Sequence, residues 1–149
     1  MDVSGSIEAI LNRKTGEIWS VEPDATVFDA IAMMADKNVG ALLVVEKGQL
    51  AGIISERDYT RKVMLKGKRS RETLVKEIMS TQLTTVDPKE TVSDCLRFMT
   101  EKRVRHLPVV ADGSLRGVIS IGDLVKEVIS SQNAAIKQLE SYISGGYPG

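Results

Sequence analysis

Apolar and polar residues follow one order of spacings along this chain, and that order occurs twice. Each copy begins with a short apolar run that stops at a proline. Apolar residues three and four apart come next, which is typical of an amphipathic helix. Two short apolar runs joined by a glycine-containing pair follow, and a second helical spacing ends the copy. The pattern therefore predicts the order β-α-β-β-α in residues 18–65 and again in residues 83–130.

The two copies keep one register without a gap. At an offset of 65 residues, Val21-Glu22-Pro23 aligns with Val86-Asp87-Pro88, and matches continue as far as Asp58 and Asp123. A register of this length indicates a duplicated unit. One unit is too small to cover both faces of its own sheet. We therefore expect the two units to pack together in an α/β fold of the α+β type.

Helix starts and hairpin turns have local signals in both copies. Thr26 and Thr91 each precede a helical spacing and are followed three residues later by Asp, the pattern of an N-terminal helix cap. Lys47-Gly48 and Asp112-Gly113 each separate two strand-like runs. Because Asp-Gly suits a two-residue turn with positive φ at both residues, we expect a β-hairpin in each unit.

Three segments lie outside the repeated units. Residues 1–17 are expected to form an N-terminal helical segment, and residues 66–82 a polar linker followed by a short helix. In residues 131–149 the last helix is expected to continue and to end in a disordered, glycine-rich tail. Apolar residues at helical spacing run along this extension, so it could cover the sheet or meet another subunit.

Composition narrows the chemistry that the chain can perform. Its 149 residues have a formal net charge of zero, with one His and one Cys. These are too few for a zinc site of nitrogen and sulfur ligands or for an intramolecular disulfide. The sequence has no Walker-type phosphate loop, no Gly-x-Gly-x-x-Gly and no Gly-x-Ser-x-Gly. We therefore expect neither an enzyme nor an obligatory cofactor.

The sequence carries no signal for a membrane. No apolar run approaches the roughly 18 residues of a spanning helix, and the first residues lack the basic-then-apolar order of a signal peptide. The expected localisation is therefore cytoplasmic, with no membrane partner.

Ser-x-x-Asp occurs at the same place in both copies, where a strand meets a helix. Ser55 with Asp58 and Ser120 with Asp123 fit a capping box, in which the serine and the carboxylate bind free amides of the first turn. A carboxylate has about four acceptor sites, so each Asp could also bind ribose hydroxyls, as acidic residues do in dinucleotide-binding folds. Spacing alone leaves both interpretations open.

Several segments together are similar to those of a known family. They are Val39-Gly40-Ala41-Leu42-Leu43-Val44-Val45, Arg105-His106-Leu107-Pro108-Val109-Val110, and the matched segments Gly52 to Asp58 and Gly117 to Asp123. With the tandem β-α-β-β-α units, they resemble a pair of CBS (cystathionine-β-synthase-type) domains over about residues 7–130. The chain looks most like the small stand-alone bacterial proteins that consist of such a pair.

The resemblance implies a pseudo-twofold module with two nucleotide clefts, each built from both copies and each with an Asp for the ribose. One cleft would be formed by Ser55, Arg57, Asp58, Thr85, Val104, Arg105 and His106. The other would be formed by Ser20, Val39, Gly40, Ala41, Ser120 and Asp123. The three candidate cations, Arg57, Arg105 and His106, all belong to the first cleft. We therefore expect the first cleft to hold phosphate more tightly.

The resemblance also implies a ligand and an assembly. The ligand would be AMP, ADP, ATP, NAD(H) or S-adenosylmethionine, with AMP favoured, and the protein would be a homodimer that regulates an unidentified effector protein. A nucleotide sensor without catalysis is thus the first hypothesis. Two alternatives stay open: a nucleic-acid-binding protein that uses the basic residues 61–71, and a structural dimerisation module with vestigial clefts. Only Tyr59 lies near that basic stretch to stack on a base, which disfavours nucleic acid.

Overall fold

The computed structural model describes residues 5–14 and 18–143. Its elements in chain order are α1 (Ile7–Arg13), β1 (Ser20–Val21), α2 (Val27–Lys37), β2 (Ala41–Glu46), β3 (Gln49–Ser55), α3 (Glu56–Tyr59), α4 (Val75–Ile78), α5 (Val92–Lys102), β4 (His106–Ala111), β5 (Ser114–Ser120) and α6 (Ile121–Ile143). α3 continues as a π-helical segment, Thr60–Met64. The parts of the expected N-terminal segment at 1–4 and 15–17, and the expected tail at 144–149, lie outside the described residues.

The central hairpin of each unit places a strand start beside a helix cap. β2 pairs antiparallel with β3, with Ala41 opposite Ser55, and β4 pairs antiparallel with β5, with His106 opposite Ser120. Each of these serines is the residue before the next helix. The start of one strand and the N-terminus of the following helix therefore lie side by side, which is the end of the sheet where the site forms.

The predicted turns are confirmed. Lys47 and Gly48 have φ of 52° and 78°, and Asp112 and Gly113 have φ of 51° and 76°. Both residues of each turn are thus left-handed, which matches the right-handed twist of the strands that they join.

The first strand of the second unit is shorter than predicted. In the first unit β1 pairs in parallel with β2, whereas Val86 alone forms a parallel bridge with Val109. Two of the preceding residues, Leu83 and Thr84, line a cavity between the units instead. The mixed α/β architecture with two small sheets agrees with the sequence prediction.

Each unit has its own hydrophobic core, and a short helix from outside the repeat completes it. The first core includes Val75 and Ile78 of α4. The second core includes Ile7 and Ile10 of α1, although α1 precedes the first unit in the chain. Each of these four side chains is at most 5% exposed. The N-terminal helix therefore packs on the second unit, and the helix between the units packs on the first.

The segments around α1 and α4 occupy equivalent places. Three backbone hydrogen bonds of the α1 segment have a counterpart at α4: Val92 N to Gly5 O with Val27 N to Thr73 O, Ile7 N to Glu90 O with Val75 N to Ala25 O, and Glu8 N to Pro88 O with Lys76 N to Pro23 O. Ile7 thus corresponds to Val75 and Ile10 to Ile78, but α1 continues to Arg13 whereas α4 ends at Ile78, so the correspondence stops there. This relation has a different offset from the rest of the repeat, and the sequence analysis did not find it.

α6 is the longest helix of the described chain, with 23 residues. Leu124 is buried in the second core and Val128 packs against it, but residues 129–141 are exposed. Among the described helices, none has the length and apolar character needed to cross a membrane.

Candidate functional site

A cavity of about 410 Å³ opens between the two units. The first unit contributes the end of β3, the start of α3 and Gly40, and the second contributes the start of β4. The chain after α4 closes a third side with Ser80, Gln82, Leu83 and Thr84. Ligand sites for small molecules have volumes of roughly 300–1,000 Å³, so the cavity has a suitable size for one.

The predicted capping box at α3 is present. The Ser55 amide donates to Asp58 Oδ2 (2.9 Å), and the Asp58 amide donates to Ser55 Oγ (3.1 Å). On the other carboxylate oxygen, Lys62 Nζ lies 3.2 Å from Asp58 Oδ1. Lys62 also donates to the Ile78 carbonyl (2.9 Å), and it is not among the residues that line the cavity, whereas Asp58 is. The cap thus holds the carboxylate at the cavity wall.

The arginines of the cavity and its histidine come from both units. Arg57 belongs to the first turn of α3, and Arg105 and His106 stand at the start of β4. Arg103, which ends α5 in a left-handed conformation (φ 55°), lines the cavity as well. Glu56 is the opposing charge at this wall. The remaining lining includes the apolar side chains of Ile53, Leu83, Val104 and Pro108.

His106 lies where the units meet. A Cβ placed on Gly40 would be 3.7 Å from His106 Cε1 and 3.2 Å from Glu56 Oε1, so the first unit approaches closely here. Burial lowers the pKa of His106 below its ordinary 6.5, and the charges of Lys14 and Arg105 act in the same direction against that of Asp123. The imidazole is therefore mostly neutral at pH 7.

Asp123 forms the same helix cap as Asp58, but it pairs with a lysine from a different part of the chain. The Ser120 amide donates to Asp123 Oδ2 (2.9 Å), and the Asp123 amide donates to Ser120 Oγ (3.1 Å). Lys14 Nζ donates to the same Oδ2 (2.9 Å). Burial alone would raise the pKa of Asp123, but the hydrogen bonds from Lys14 and Ser120 outweigh it and hold the pKa below its ordinary value.

The cavity contains most of the residues expected for the first cleft. Ser55, Arg57, Asp58, Val104, Arg105 and His106 line it, but Thr85 does not; its neighbour Thr84 does. Gly40, expected in the other cleft, lines this cavity as well. Of the other residues expected there, Val39 borders with Gly40 a recess of about 480 Å³ along α2 and α3. Ser20 and Ala41 lie in β1 and β2 and line neither cavity.

Several residues of these sites were missed by the sequence analysis. Arg103, Gln82 and Thr84 line the cavity, and Lys62 and Lys14 pair with the two aspartates. Lys62 follows Asp58 by one helical turn, where an ion pair is common.

Cys95 is the free thiol of the described residues, and it is buried. Burial raises the pKa of the Cys95 thiol to about 11, so it is protonated at neutral pH and a poor nucleophile. Within residues 5–14 and 18–143, no group of three His, Cys, Asp or Glu side chains could hold a metal ion.

Comparison with known proteins identifies the class. The family model of the CBS domain matches residues 7–65 and 75–130, and the chain belongs to this family as a tandem CBS-domain pair. Each matched segment begins at the short helix described above, α1 or α4. CBS-pair proteins are regulatory or signal-transduction modules, and those with CBS domains alone are typically not catalytic.

The relatives are CBS-domain proteins of several organisms. The mitochondrial CBS domain-containing protein CBSX3 of Arabidopsis thaliana is 43% identical over 135 residues, which are 87% of this chain and 65% of that protein. The chain thus spans just under two thirds of this relative's length. YhcV of Bacillus subtilis is 32% identical over 128 residues, which are 86% of this chain and 91% of that protein.

Solved structures share the fold. A CBS-domain protein from Burkholderia ambifaria MC40-6, assigned to signal transduction, is 46% identical with a TM-score of 0.83 over 86% of this chain and 96% of its own. The CBS-domain pair of MJ0100 was solved in complex with 5′-methylthioadenosine and S-adenosyl-L-methionine; it is 21% identical, with a TM-score of 0.74 over 87% of this chain and 98% of its own.

Proposed function

We propose that the protein is a regulatory module that binds an adenine nucleotide, AMP by preference and also ATP or NAD(H), in the cavity between the two units. The observation that carries the proposal is the composition of that one cavity. A capped carboxylate stands at its wall, Arg57, Arg103 and Arg105 line it from both units, and apolar side chains line the rest. These are the partners that a ribose, a phosphate and a base require.

The ribose is assigned to Asp58. Its Oδ2 is engaged by the capping box and its Oδ1 by Lys62, with a side chain 14% exposed. Oδ2 accepts from both the amide and the hydroxyl of Ser55, whereas Oδ1 keeps one free acceptor site for a ribose hydroxyl. The second ribose hydroxyl can replace the Ser55 hydroxyl as a donor to Oδ2, while Ser55 Oγ still accepts from the Asp58 amide and keeps the cap. Lys62 pairs with the carboxylate from outside the cavity lining and holds it in place.

The phosphate is assigned to Arg57, Arg105 and His106. Arg57 and Arg105 are permanently charged, and each charge-assisted contact is worth about 1.5–3 kcal/mol. Neutral His106 can donate one hydrogen bond, and a phosphate beside it favours its protonated form. The adenine then lies among Ile53, Leu83 and Pro108, on the apolar side of the cavity.

The ligand would be an exchangeable regulator and not a resident cofactor. Because both units line the cavity, a bound nucleotide favours the arrangement of units in which all its contacts are made. It can shift that arrangement only by its difference in affinity between the two states. The effector protein that reads the change is not identified by this chain.

Calorimetric titration of nucleotide-free protein tests the proposal, preceded by a thermal-shift panel of AMP, ADP, ATP, NAD, NADH, S-adenosylmethionine and GTP. We expect stabilisation by adenine compounds; a ligand at about 100 times its Kd adds roughly 2.7 kcal/mol. Asp58→Asn should weaken AMP binding at least about tenfold, the loss of one charged contact. Asp123→Asn is the matched control, since it alters the same cap in the other unit, and should change affinity less than about threefold.

Two results would overturn the proposal. One is the absence of a shift with any adenine compound. The other is a larger loss of AMP affinity in Asp123→Asn than in Asp58→Asn, with both variants folded by far-UV circular dichroism.

Nucleic acid is the weaker candidate because the basic stretch is partly engaged within the chain. Lys62 pairs with Asp58, Arg69 Nη1 lies 3.6 Å from Glu72 Oε1, and the Arg71 guanidinium lies 3.7 Å from the centre of the Phe28 ring. A nucleic-acid-binding protein would be retained on heparin and lose affinity steeply with salt. A pocket with two or three charged contacts would be less sensitive to salt.

We also infer that a second copy of the chain covers α6. Ile129, Ile136 and Leu139 are 51%, 51% and 61% exposed at helical spacing, and an isolated helix end of this length is only marginally stable in water. Met64, which corresponds to Ile129 in the other unit, is 62% exposed, so the apolar surface follows the internal symmetry. A homodimer that buries these positions accounts for both features.

A further inference from the structure

Glu56 is the first residue of α3, and it lines the cavity between the two units. The Glu56 amide donates to the Gly40 carbonyl (3.0 Å). At the equivalent place in the second unit, the Ile121 amide donates to the Arg105 carbonyl (2.9 Å). The backbone at this position is therefore held alike in both units, and only the side chain differs. The first unit has a carboxylate here, and the second unit has an apolar group.

The Glu56 carboxylate lies close to His106. Glu56 Oε1 and His106 Cε1 are 3.2 Å and 3.7 Å from the same point, which is the position that a Cβ on Gly40 would take. Because residue 40 is a glycine, it contributes no side chain to the gap between them. The carboxylate therefore stands near the start of β4, where the phosphate of the ligand is assigned to Arg105 and His106.

No ion pair of the described residues neutralises Glu56. The ion pairs formed within residues 5–14 and 18–143 all involve other carboxylates, and the Glu56 side chain is exposed. The carboxylate of Asp58, by contrast, has Lys62 at 3.2 Å, and this lysine lies outside the cavity lining. A bound anion therefore meets the charge of Glu56, whereas that of Asp58 is balanced within the chain.

The charges along the cavity wall suit a ligand with two negative charges. Arg57, Arg103 and Arg105 line the cavity, and Glu56 offsets one of their three positive charges. The charge of the capped aspartate is already balanced by its lysine, so two positive charges are in excess. A phosphate monoester carries roughly two negative charges at pH 7, because its second pKa is about 6. AMP thus matches this wall, and each further phosphate group of ADP or ATP exceeds it.

We propose that Glu56 limits the negative charge of the ligand, so that the cavity favours AMP over ADP and ATP. The proposal rests on the proposed function and deepens it. Like charges repel, and the repulsion grows with every charge that the ligand adds. The further phosphates of ADP and ATP continue from the group that is assigned to Arg105 and His106, which is the neighbourhood of the Glu56 carboxylate.

Calorimetric titration of the nucleotide-free full chain with AMP, ADP and ATP, in the absence of divalent cations, tests the proposal. Wild type should bind ATP more weakly than AMP. Glu56→Gln keeps the shape of the side chain and removes its charge. In this variant the ratio of the ATP Kd to the AMP Kd should fall at least about threefold, with ADP in between. Glu56→Asp keeps the charge and should keep the preference of wild type for AMP.

Glu46→Gln is the matched control. Glu46 ends β2, at the other end of the strand from Gly40, and it does not line the cavity. Its substitution removes the same charge from the chain and should leave the ratio unchanged. Raising the salt concentration from about 0.05 M to about 0.5 M should reduce the difference between wild type and Glu56→Gln, because salt screens charges. A difference caused by shape alone would not respond in this way.

The outcomes separate the proposal from the function on which it rests. The proposal is overturned, and the function left standing, if wild type binds ATP as tightly as AMP or if the ratio is unchanged in a Glu56→Gln variant that is folded by far-UV circular dichroism. An equal fall in Glu46→Gln, or a difference that persists in full at high salt, has the same meaning. If neither wild type nor Glu56→Gln binds any of the three nucleotides, the proposed function is overturned, and the role of Glu56 falls with it.

Discussion

His106 is the residue on which both units act at once. It begins β4, lies beside Gly40 of the first unit, and is influenced by Lys14 and Asp123 of the neighbouring cleft. The first unit has Ala41 at the equivalent position. A titratable group thus stands at this position in one unit and an apolar one in the other, so protonation here changes the charge of the second unit only.

The buried imidazole should make stability depend on pH. Because the pKa of His106 is lowered in the folded chain, the unfolded chain takes up the proton first as pH falls. The free energy of unfolding should therefore decrease below about pH 6.5, until the folded form also becomes protonated. In His106→Gln this part of the decrease should vanish.

Urea unfolding at intervals between pH 7.5 and pH 5 measures the effect. The lowered pKa of Asp123 affects the free energy of unfolding only around and below its ordinary value of 3.8, which lies outside this pH range. Equal pH dependence in wild type and His106→Gln would contradict the interpretation of His106 as a buried neutral group.

At the scale of elements, the features that depend on neighbouring residues were predicted correctly, whereas the packing between distant segments was not. The turns at Gly48 and Gly113 and the caps by Thr26 and Thr91 depend on neighbouring residues, and all four are present. The exchange of α1 and α4 between units depends on which core has room for a helix. The residues next to each helix do not indicate which core it packs against, so both helices were predicted to lie outside the units.

The candidate site was predicted in part: its position between the units was expected, and some of its side-chain contacts were not. The resemblance implied a crossed cleft, and the cavity brings Arg57 and Asp58 of one unit to Arg105 and His106 of the other. Lys14 could not be assigned from spacing, because its partner Asp123 is 109 residues away and the contact depends on how α1 packs.

The contact between β3 and the chain after α4 should be sensitive to one methyl group. A Cβ on Gly52 would lie 2.8 Å from the Ser80 carbonyl oxygen and 2.9 Å from Met79 Sδ. Gly52→Ala must therefore push this segment away and should destabilise the protein by about 1–3 kcal/mol. Chemical denaturation measures the loss.

Gly122→Ala is the control for this substitution. Gly122 lies in the first turn of α6, and the nearest atom to its added Cβ is Ser120 Oγ at 3.6 Å. The change should be neutral or stabilise by up to about 1 kcal/mol, the helix preference of Ala over Gly. If Gly52→Ala were equally harmless, the close approach of Ser80 would not be tight in solution.

At the scale of the whole molecule, the exposed end of α6 is the feature that one chain does not explain. Residues 129–141 make the helix longer than its counterpart in the first unit and leave apolar positions exposed. Helices that project in this way are usually stabilised by tertiary or quaternary packing. The proposed dimer interface therefore lies within residues 129–141.

A charge on the apolar side of α6 should dissociate the dimer. Leu139→Asp would bury a carboxylate in the interface and should shift the protein to monomer in sedimentation velocity. Gln138→Asp adds the same charge one position away, on another side of the helix, and should leave the assembly unchanged. A monomeric wild type, or equal effects of both substitutions, would contradict the interface.

The exchange of α1 and α4 has a consequence for how the chain is made. The first unit has all parts of its core once the ribosome has passed Met79, because α4 directly follows it. The core of the second unit is complete only after α5, β4, β5 and Leu124, although its residues Ile7 and Ile10 are synthesised before any part of either unit. These two buried residues of α1 are thus packed later than those of the first core. A cut in the linker at 66–72 would separate each core from its helix, because one part would hold α1 with the first core and the other part α4 with the second. The two units therefore form one folding unit.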